Sequence, residues 1–272
     1  MKIGIVQPYF SPYIGYFALI NAVDKFVYFD DVQYIRGGWV NRNRIKIVDT
    51  WHYITLPINK VSMSSKINEV YIVDDERQIN KIKKSIMHSY KKAPYYNEIK
   101  ELIFGSIISG ENISELNINL TNKVCNYLGI DTEMYVSSEI KTYDSLKGED
   151  KIINICKILD SDHYINPIGG VQLYSKEKFL ESGIKLNFLK IDEITYPQGV
   201  GDFIPNLSII DVLMWNTKED VRKMLEKYIL TEGRMSKVMS KEGQLVSNHL
   251  VKHEECRLVN SKCGISEQPK EI

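Results

Sequence analysis

Two adjacent acids follow a short apolar run near the start of the chain. Asp30 and Asp31 come directly after residues 25–29, which have the composition of a strand, and Gln33 follows closely. Acids at the carboxyl end of a parallel strand lie where open α/β sheets place their chemistry, and a carboxylate can serve as a general base. An ordinary strand-end turn also favours Asp. We take Asp30 and Asp31 as candidate catalytic residues and Gln33 as a candidate substrate-binding residue.

A basic and aromatic segment comes next. In an extended chain Arg42, Arg44 and Lys46 share one face, and two glycines precede Trp39. Guanidinium groups suit phosphate, and a flat ring suits a stacked base or sugar. The alternative is a solvated basic face on a hairpin. The candidate substrate-binding residues of this segment are Arg36, Trp39, Asn41, Arg42 and Arg44.

A later predicted strand ends in a glycine pair. His163 and Asn166 lie at this strand terminus, followed by Gly169 and Gly170, whose backbone could approach an anion or form a plain turn. His163 is a candidate acid or base, although no partner for it is visible in the sequence. Asn166 and Gln198, the latter in a glycine-containing loop, are candidate substrate-binding residues.

The elements that must position these residues form a predicted βαβ unit. An apolar strand begins at residue 3, turns through two prolines and enters a helix for which Ser11 is the predicted N-cap. A second strand begins at residue 25. The first turn of such a unit binds ligands in open α/β sheets, although its aromatic residues could equally close the top of a core. The candidate substrate-binding residues here are Gln7, Tyr9, Tyr13 and Tyr16.

The remaining periodicity predicts the fold class. Strands are expected at residues 51–58, 67–73, 133–136 and 185–191, and helices at 77–90, 98–108, 113–128, 144–159, 175–182, 207–215 and about 217–228. This alternation is typical of an α/β fold, here a Rossmann-like, open and mostly parallel sheet. We predict one α/β domain over residues 1–230, with a helical subdomain at about 77–130. Residues 231–272 are polar and weakly periodic, as expected of a C-terminal extension.

Composition restricts the possible functions. Lys plus Arg and Asp plus Glu are both 35 in 272 residues, and this zero net charge argues against general nucleic-acid or membrane-surface binding. The uncharged run at residues 3–23 is broken by prolines, so we do not predict a membrane span, and no signal peptide is visible. The four cysteines lack metal-type spacing, so no metal site is expected. A cytoplasmic location is predicted.

Several motifs together resemble the WbqC-like family over about residues 1 to 230. The resemblance implies an enzyme of bacterial surface-polysaccharide (O-antigen or capsule) biosynthesis that acts on a nucleotide-linked amino sugar, with a small carboxylate or amino acid as donor. The motifs are Gln7 to Phe17, Asp30-Asp31-Val32-Gln33-Tyr34, Trp39, Asn41, Arg42, Arg44, Ile45, Leu56-Pro57, Tyr164, Gly169-Gly170, Tyr196, Gln198, Phe203, Pro205 and Leu207 to Asp211.

The opening also resembles the first turn of His-x-Gly-His adenylate-forming enzymes such as pantothenate synthetase. Tyr13-Ile14-Gly15-Tyr16 takes the place of the motif, and both histidines are absent. This likeness makes ATP the candidate cofactor. Because tyrosine carries no positive charge near neutral pH, Arg36, Arg42 and Arg44 would have to supply the charge that the histidines provide.

Three functions remain open from the sequence. The first is a ligase that activates an acid such as glycine with ATP and joins it to the amino group of a nucleotide-linked sugar, with Asp30 or Asp31 as base. The second is a transferase that takes an activated group from a thioester or a charged tRNA. The third is a non-catalytic protein that binds a sugar nucleotide.

Overall fold

The computed structural model describes residues 1–143 and 145–232. The predicted extension at 231–272 therefore lies almost entirely outside the described residues. Among the described residues, no helix is both long and apolar enough to cross a membrane.

Six strands form the main sheet, in the spatial order β5-β2-β1-β6-β7-β8. The first five in this order are parallel, and β8 runs antiparallel to β7. The predicted Rossmann-like, mostly parallel sheet is confirmed. The strands are β1 (Lys2–Val6), β2 (Lys25–Tyr28), β5 (Glu133–Val136), β6 (His163–Pro167), β7 (Lys185–Ile191) and β8 (Tyr228–Thr231).

The chain direction across this sheet reverses beside β1. From β1 the chain moves outward to β2 and β5, and then returns to the other side of β1 to form β6. In open α/β sheets ligands bind in the crevice at the carboxyl ends of the strands at such a reversal. The crevice between β1 and β6 is therefore the expected ligand site, and we call it the switch point.

Helices cover both faces of the sheet. Ile3 and Ile5 of β1 belong to the core under α5 and α6, whereas Val6 belongs to the larger core that contains α1 to α4, α7 and α8. This alternation follows from the two-residue period of a strand. The helices are α1 (Ile14–Ala22), α2 (Glu76–Tyr90), α3 (Tyr96–Phe104), α4 (Ile113–Leu128), α5 (Gly148–Ile158), α6 (Lys176–Glu181), α7 (Ile209–Trp215) and α8 (Lys218–Leu225).

The predicted helical span at 77–130 is occupied by α2, α3 and α4. The boundaries of α4 match the prediction because both of its ends carry strong signals. The Asn112 side chain accepts hydrogen bonds from the first-turn N–H groups, and Gly129 takes the left-handed conformation at φ 69° that ends the helix. The apolar residues of these helices join the same core as α1, so they pack onto the sheet domain.

A two-stranded hairpin, β3 (Arg42–Ile47) and β4 (Thr50–Thr55), lies outside the main sheet. Two secondary-structure predictions are wrong. The strand expected at 67–73 is a 3₁₀ helix at Ile67–Glu69, because its neighbours make only isolated bridges. The helix predicted at 217–228 ends at Leu225, and Tyr228, which was expected on its buried face, begins the last strand, β8. It is a four-residue edge strand with little apolar alternation, so the sequence carries almost no signal for it.

Candidate functional site

The loop between β1 and α1 borders the switch point, and buried side chains hold its backbone. Each donor comes from a different part of the chain and bonds a carbonyl oxygen of the loop, so the loop is fixed before any ligand arrives. The bonds run from Tyr16 Oη to Gln7 (3.0 Å), Asn117 Nδ2 to Pro8 (3.0 Å), Asn43 Nδ2 to Phe10 (3.0 Å) and Ser11 (2.9 Å), and Ser208 Oγ to Ser11 (2.7 Å).

Ser11 has a different role from the predicted one. Its φ is 43°, in the left-handed region, and its buried hydroxyl has no hydrogen-bond partner within the described structure. An N-cap needs an extended backbone, and Tyr13, at φ −71° and ψ 165°, supplies it. The prediction of Ser11 as N-cap is therefore wrong, because the clamped carbonyl of Ser11 forces a sharp turn two residues earlier.

Replacing Ser11 with glycine is expected to raise the free energy of unfolding by about 1 kcal/mol. The change removes a left-handed penalty of about 1–2 kcal/mol and an unpaired buried hydroxyl, against a glycine entropy cost of about 1 kcal/mol. Urea denaturation measures the difference. Ser85→Gly, in the interior of α2, is the matched control and should lower stability, so a loss in both variants would contradict this account.

Two tyrosines at this loop, Tyr9 and Tyr16, stay neutral. Burial raises the pKa of Tyr9 to about 12 and that of Tyr16 well above its ordinary value. The ring of Tyr13 lies against Gly15, where an added Cβ would meet a ring carbon at 2.4 Å, so this ring position requires glycine. These tyrosines can therefore provide hydrogen bonds and packing at the start of α1 but no positive charge.

Both predicted acids follow β2, beside the carboxyl end of β5, but they differ in their surroundings. Asp30 is buried, and its carboxylate accepts bonds from Ser137 Oγ (3.0 Å), Ser138 N–H (3.0 Å) and Ser138 Oγ (2.8 Å). It fastens the end of β2 to the residues after β5. Asp31 forms an ion pair with Lys151 of α5 and lies 2.6 Å from Ser137 Oγ.

The ion pair sets the proton affinity of Asp31. Burial alone would raise the pKa of Asp31, but the Lys151 ammonium and the Ser137 hydroxyl together hold it below the ordinary value. A catalytic base here would need a raised pKa. Asp31 therefore lacks the raised pKa that a general base at this position would need. An ionised carboxylate is better suited to holding a cation.

Sequence reasoning missed Lys151, Ser137 and Ser138. A signal existed for Lys151, which shares a helix face with the apolar residue Ile155 four positions later. A lysine within an apolar stripe is unusual unless it has a charged partner. The serines follow a short strand and carry no comparable signal.

On the other side of the switch point, Asn166 lies at the predicted carboxyl end of β6. Its Nδ2 donates to Tyr164 Oη (2.5 Å), and its Oδ1 leaves no room for a Cβ at Gly170. His163 lies at the opposite end of the same strand, where it pairs with Lys2 in register and Nε2 lies 2.9 Å from Asn187 Oδ1. The prediction that His163 lies with Asn166 at one strand terminus is therefore wrong, since His163 begins the strand and lies at the other edge of the sheet.

Four predicted substrate-binding side chains bond to nearby backbone carbonyls instead of meeting at the switch point. These bonds position loops, which is a structural role that the sequence alone could not distinguish from ligand binding. The donors and acceptors are Gln33 Nε2 to Met63 (2.6 Å), Arg36 to Val61 (2.9 Å), Asn41 Nδ2 to Leu56 (3.0 Å) and Gln198 Nε2 to Ile204 (2.8 Å).

Trp39, Arg42 and Arg44 form a separate cluster on the hairpin. Both guanidinium groups stack on aromatic rings, and neither forms an ion pair with a carboxylate among the described residues. Lys151, and not an arginine, pairs with Asp31, so the arginines and the acids form two groups.

A buried carboxylate, Asp211, fixes the loop that precedes α7. It accepts hydrogen bonds from Tyr90 Oη (2.7 Å) and Tyr196 Oη (2.9 Å), and Gln198 Nε2 donates to Tyr196 Oη (3.0 Å). Burial raises the pKa of Asp211 to about 6. Ser208, which caps α7, also donates to the clamped carbonyl of Ser11, so this network supports the loop at the switch point.

The first turn of α1 is the part of this site that could receive a phosphate. The N–H groups of Ile14 and Gly15 lack intrahelical acceptors, whereas that of Tyr16 donates to the Tyr13 carbonyl (3.0 Å), and the turn contains no acidic residue. The described residues contain no group of three or more His, Cys, Asp or Glu side chains arranged to hold a metal ion.

Comparisons with known proteins identify relatives by sequence. A model of the WbqC-like protein family matches residues 7–223. The chain is 31% identical over 216 residues to "Uncharacterized protein Rv1507c" of Mycobacterium tuberculosis (strain ATCC 25618 / H37Rv), and the match covers 78% of this chain and 92% of that protein. No solved structure gives a significant match.

Proposed function

This chain belongs to the WbqC-like protein family, and on that premise we propose that it is an enzyme of surface-polysaccharide biosynthesis. It joins an acyl or aminoacyl group, such as glycine, to the amino group of a nucleotide-linked amino sugar. The observation that carries the proposal is that two features lie at the same edge of the sheet. They are the β1–α1 loop, whose backbone is held by hydrogen bonds, and an ionised acid, Asp31. The reaction would take place in the cytoplasm, where ATP and nucleotide sugars are available.

In the ATP-dependent form, the donor carboxylate attacks the α-phosphorus of ATP and releases pyrophosphate. The sugar amine then attacks the carbonyl carbon of the acyl adenylate, and the bond to AMP breaks. The first turn of α1 would bind the phosphates of ATP through backbone N–H groups. The nitrogen loses two protons when an ammonium becomes an amide. A carboxylate with a lowered pKa accepts protons weakly, so in this proposal Asp31 holds the ammonium and solvent accepts the protons.

The local charge supports this role for Asp31. The Lys151 ammonium pairs with Asp31, whereas the Asp30 carboxylate accepts from Ser137 and Ser138 and has no ion-pair partner among the described residues. A second ammonium, from an amino sugar, would balance the charge at this edge. The hydroxyl of Ser137, which lies near both acids, would remain in place.

A second candidate is an ATP-independent transferase that takes its group from a thioester or a charged tRNA. The observation in its favour is the chemistry of Tyr13 and Tyr16, which occupy the places of the two histidines of the adenylate-forming motif. Tyr16 is buried, donates to the Gln7 carbonyl and stays neutral, so it cannot stabilise a phosphate as a cation does.

The test mixes the purified protein with glycine and a panel of amino-sugar nucleotides, with and without ATP, and follows amide formation by mass spectrometry and pyrophosphate release. Asp31→Asn is expected to lower kcat/KM by about thirtyfold, because it removes the charge that holds the ammonium. Asp131→Asn, an exposed acid, is the matched control and should leave kcat/KM unchanged.

The outcomes separate the candidates. Amide and pyrophosphate formed only with ATP support the ligase. Amide formed from glycyl thioester or glycyl-tRNA without ATP supports the transferase. If no donor gives an amide with any sugar nucleotide, the enzymatic proposal fails.

A further inference from the structure

Five residues of the hairpin region form what we call the aromatic–arginine face: Trp39, Arg42, Arg44, Trp51 and Tyr53. The pairing register places Arg44 opposite Tyr53 and Lys46 opposite Trp51, so side chains from both strands project from one side of the hairpin. Trp51 and Tyr53 lie two residues apart on β4 and are 40% and 39% exposed, so they form an exposed aromatic pair.

The rings hold the arginines in place. The guanidinium carbon of Arg42 lies 4.2 Å from the centre of the Tyr53 ring, and that of Arg44 lies 5.6 and 5.3 Å from the rings of Trp39 and Trp51. The Trp51 and Tyr53 rings meet edge to face at 5.1 Å. Arginines already ordered by stacking lose less conformational entropy when they bind an anion.

The positive charge of the face is not neutralised within the described part of the chain. Arg42 donates to the Gly37 carbonyl and Arg44 to the Asn206 carbonyl (3.2 Å), and neither forms an ion pair there. A guanidinium has five N–H donors, and although the Nε of each arginine is buried, these single bonds leave terminal N–H groups for a ligand. Two charges beside exposed rings match a ligand that is both anionic and aromatic.

We infer that the aromatic–arginine face binds a nucleoside diphosphate, with its base stacked on Trp51 or Tyr53 and its diphosphate bound by Arg42 and Arg44. A neutral sugar would leave the guanidinium charges without a partner, and inorganic phosphate would leave the rings uncovered. A long nucleic acid is disfavoured by the net charge of zero.

The face adjoins the switch point. The Phe10 N–H donates to the Trp39 carbonyl (3.0 Å), and the Ser208 N–H donates to the Arg44 carbonyl (2.9 Å), while Ser208 also bonds Ser11 in the clamped loop. A ligand on this face would therefore extend toward the loop after β1. The inference rests on the proposed function only for the statement that this nucleoside diphosphate is part of the acceptor substrate.

The test is isothermal titration calorimetry of the full chain with UDP, ADP, GDP and dTDP, and with UMP and inorganic pyrophosphate as partial ligands. At least one nucleoside diphosphate should bind about tenfold tighter than its monophosphate and than pyrophosphate. Arg44→Gln and Trp51→Ala should each weaken that binding by about tenfold. The controls are Arg77→Gln, at an exposed arginine, and Tyr143→Ala, at an exposed aromatic residue, and both should leave this binding unchanged.

Arg42→Gln is the second variant to use if Arg44→Gln lowers Tm, because Arg44 also bonds the loop at Asn206. The inference fails if no nucleoside diphosphate binds the wild-type protein at millimolar concentration, if pyrophosphate binds as tightly, or if the folded variants bind unchanged. Amide formation with unchanged binding in the variants would overturn the inference and leave the proposed function standing. Binding through this face without amide formation would support the inference and overturn the proposed function.

Discussion

The stability of the Asp211→Asn variant relative to the wild-type protein is expected to increase by about 2 kcal/mol between pH 4 and pH 7. The pKa of Asp211 is about 6 in the folded chain, against an ordinary value of 3.8. The folded state therefore holds the proton more tightly than the unfolded chain, and the wild-type free energy of unfolding falls as pH rises through this window. Asparagine cannot titrate, so the variant lacks this fall.

Urea denaturation at several pH values measures the difference between the two proteins. Asp202→Asn, an exposed acid in the same loop, is the matched control and should run parallel to the wild-type curve. Parallel curves for Asp211→Asn and the wild-type protein would contradict a raised pKa. A shift in the opposite direction would mean that the hydroxyls of Tyr90 and Tyr196 outweigh the burial of the carboxylate.

Asn43→Ala is expected to lower the free energy of unfolding by about 3 kcal/mol, because it leaves buried polar groups without partners. The Asn43 amide is 4% exposed, bonds the carbonyls of Phe10 and Ser11, and accepts the Arg44 N–H at 2.8 Å. The loss should also open the β1–α1 loop, so hydrogen exchange at Tyr13 and its neighbours should accelerate more than in the interior of α4.

Asn80→Ala on the exposed face of α2 provides the comparison, and its stability should match or exceed the wild-type value. A change below about 1 kcal/mol in Asn43→Ala would show that water replaces the amide at little cost. Unchanged exchange in the loop would show that Ser208 and Asn117 suffice to hold it.

The parts of the fold that were predictable from sequence are those with strong periodicity and end signals. Helix α4 has an apolar stripe, an asparagine cap and a terminal glycine, and its bounds were predicted as found. Strand β8 and the 3₁₀ helix at Ile67–Glu69 were not, because each is short and depends on neighbours that are distant in sequence. Ser11 was misassigned for the same reason, since Asn43 and Ser208 determine its backbone.

The candidate site was predictable as a location more than as a set of contacts. The carboxyl ends of β1, β2 and β6 follow from the order of elements, so Gln7, Asp31 and Asn166 were placed at the correct edge. Side-chain partners do not follow from that order. Lys151 lies 120 residues after Asp31, and His163 is separated from the acids by the length of its own strand. Whether a glutamine binds a substrate or a carbonyl of its own loop is likewise decided by three-dimensional neighbours.

The clamps on the β1–α1 loop have a consequence for protein synthesis. The loop leaves the ribosome before two of its donors, because Asn117 and Ser208 follow Pro8 and Ser11 by 109 and 197 residues. A nascent chain shorter than about residue 209 can therefore form the first βαβ unit but not the finished site. Fragments that end before about residue 209 would be unable to bind the ligand, so ligand binding would indicate that the domain is complete.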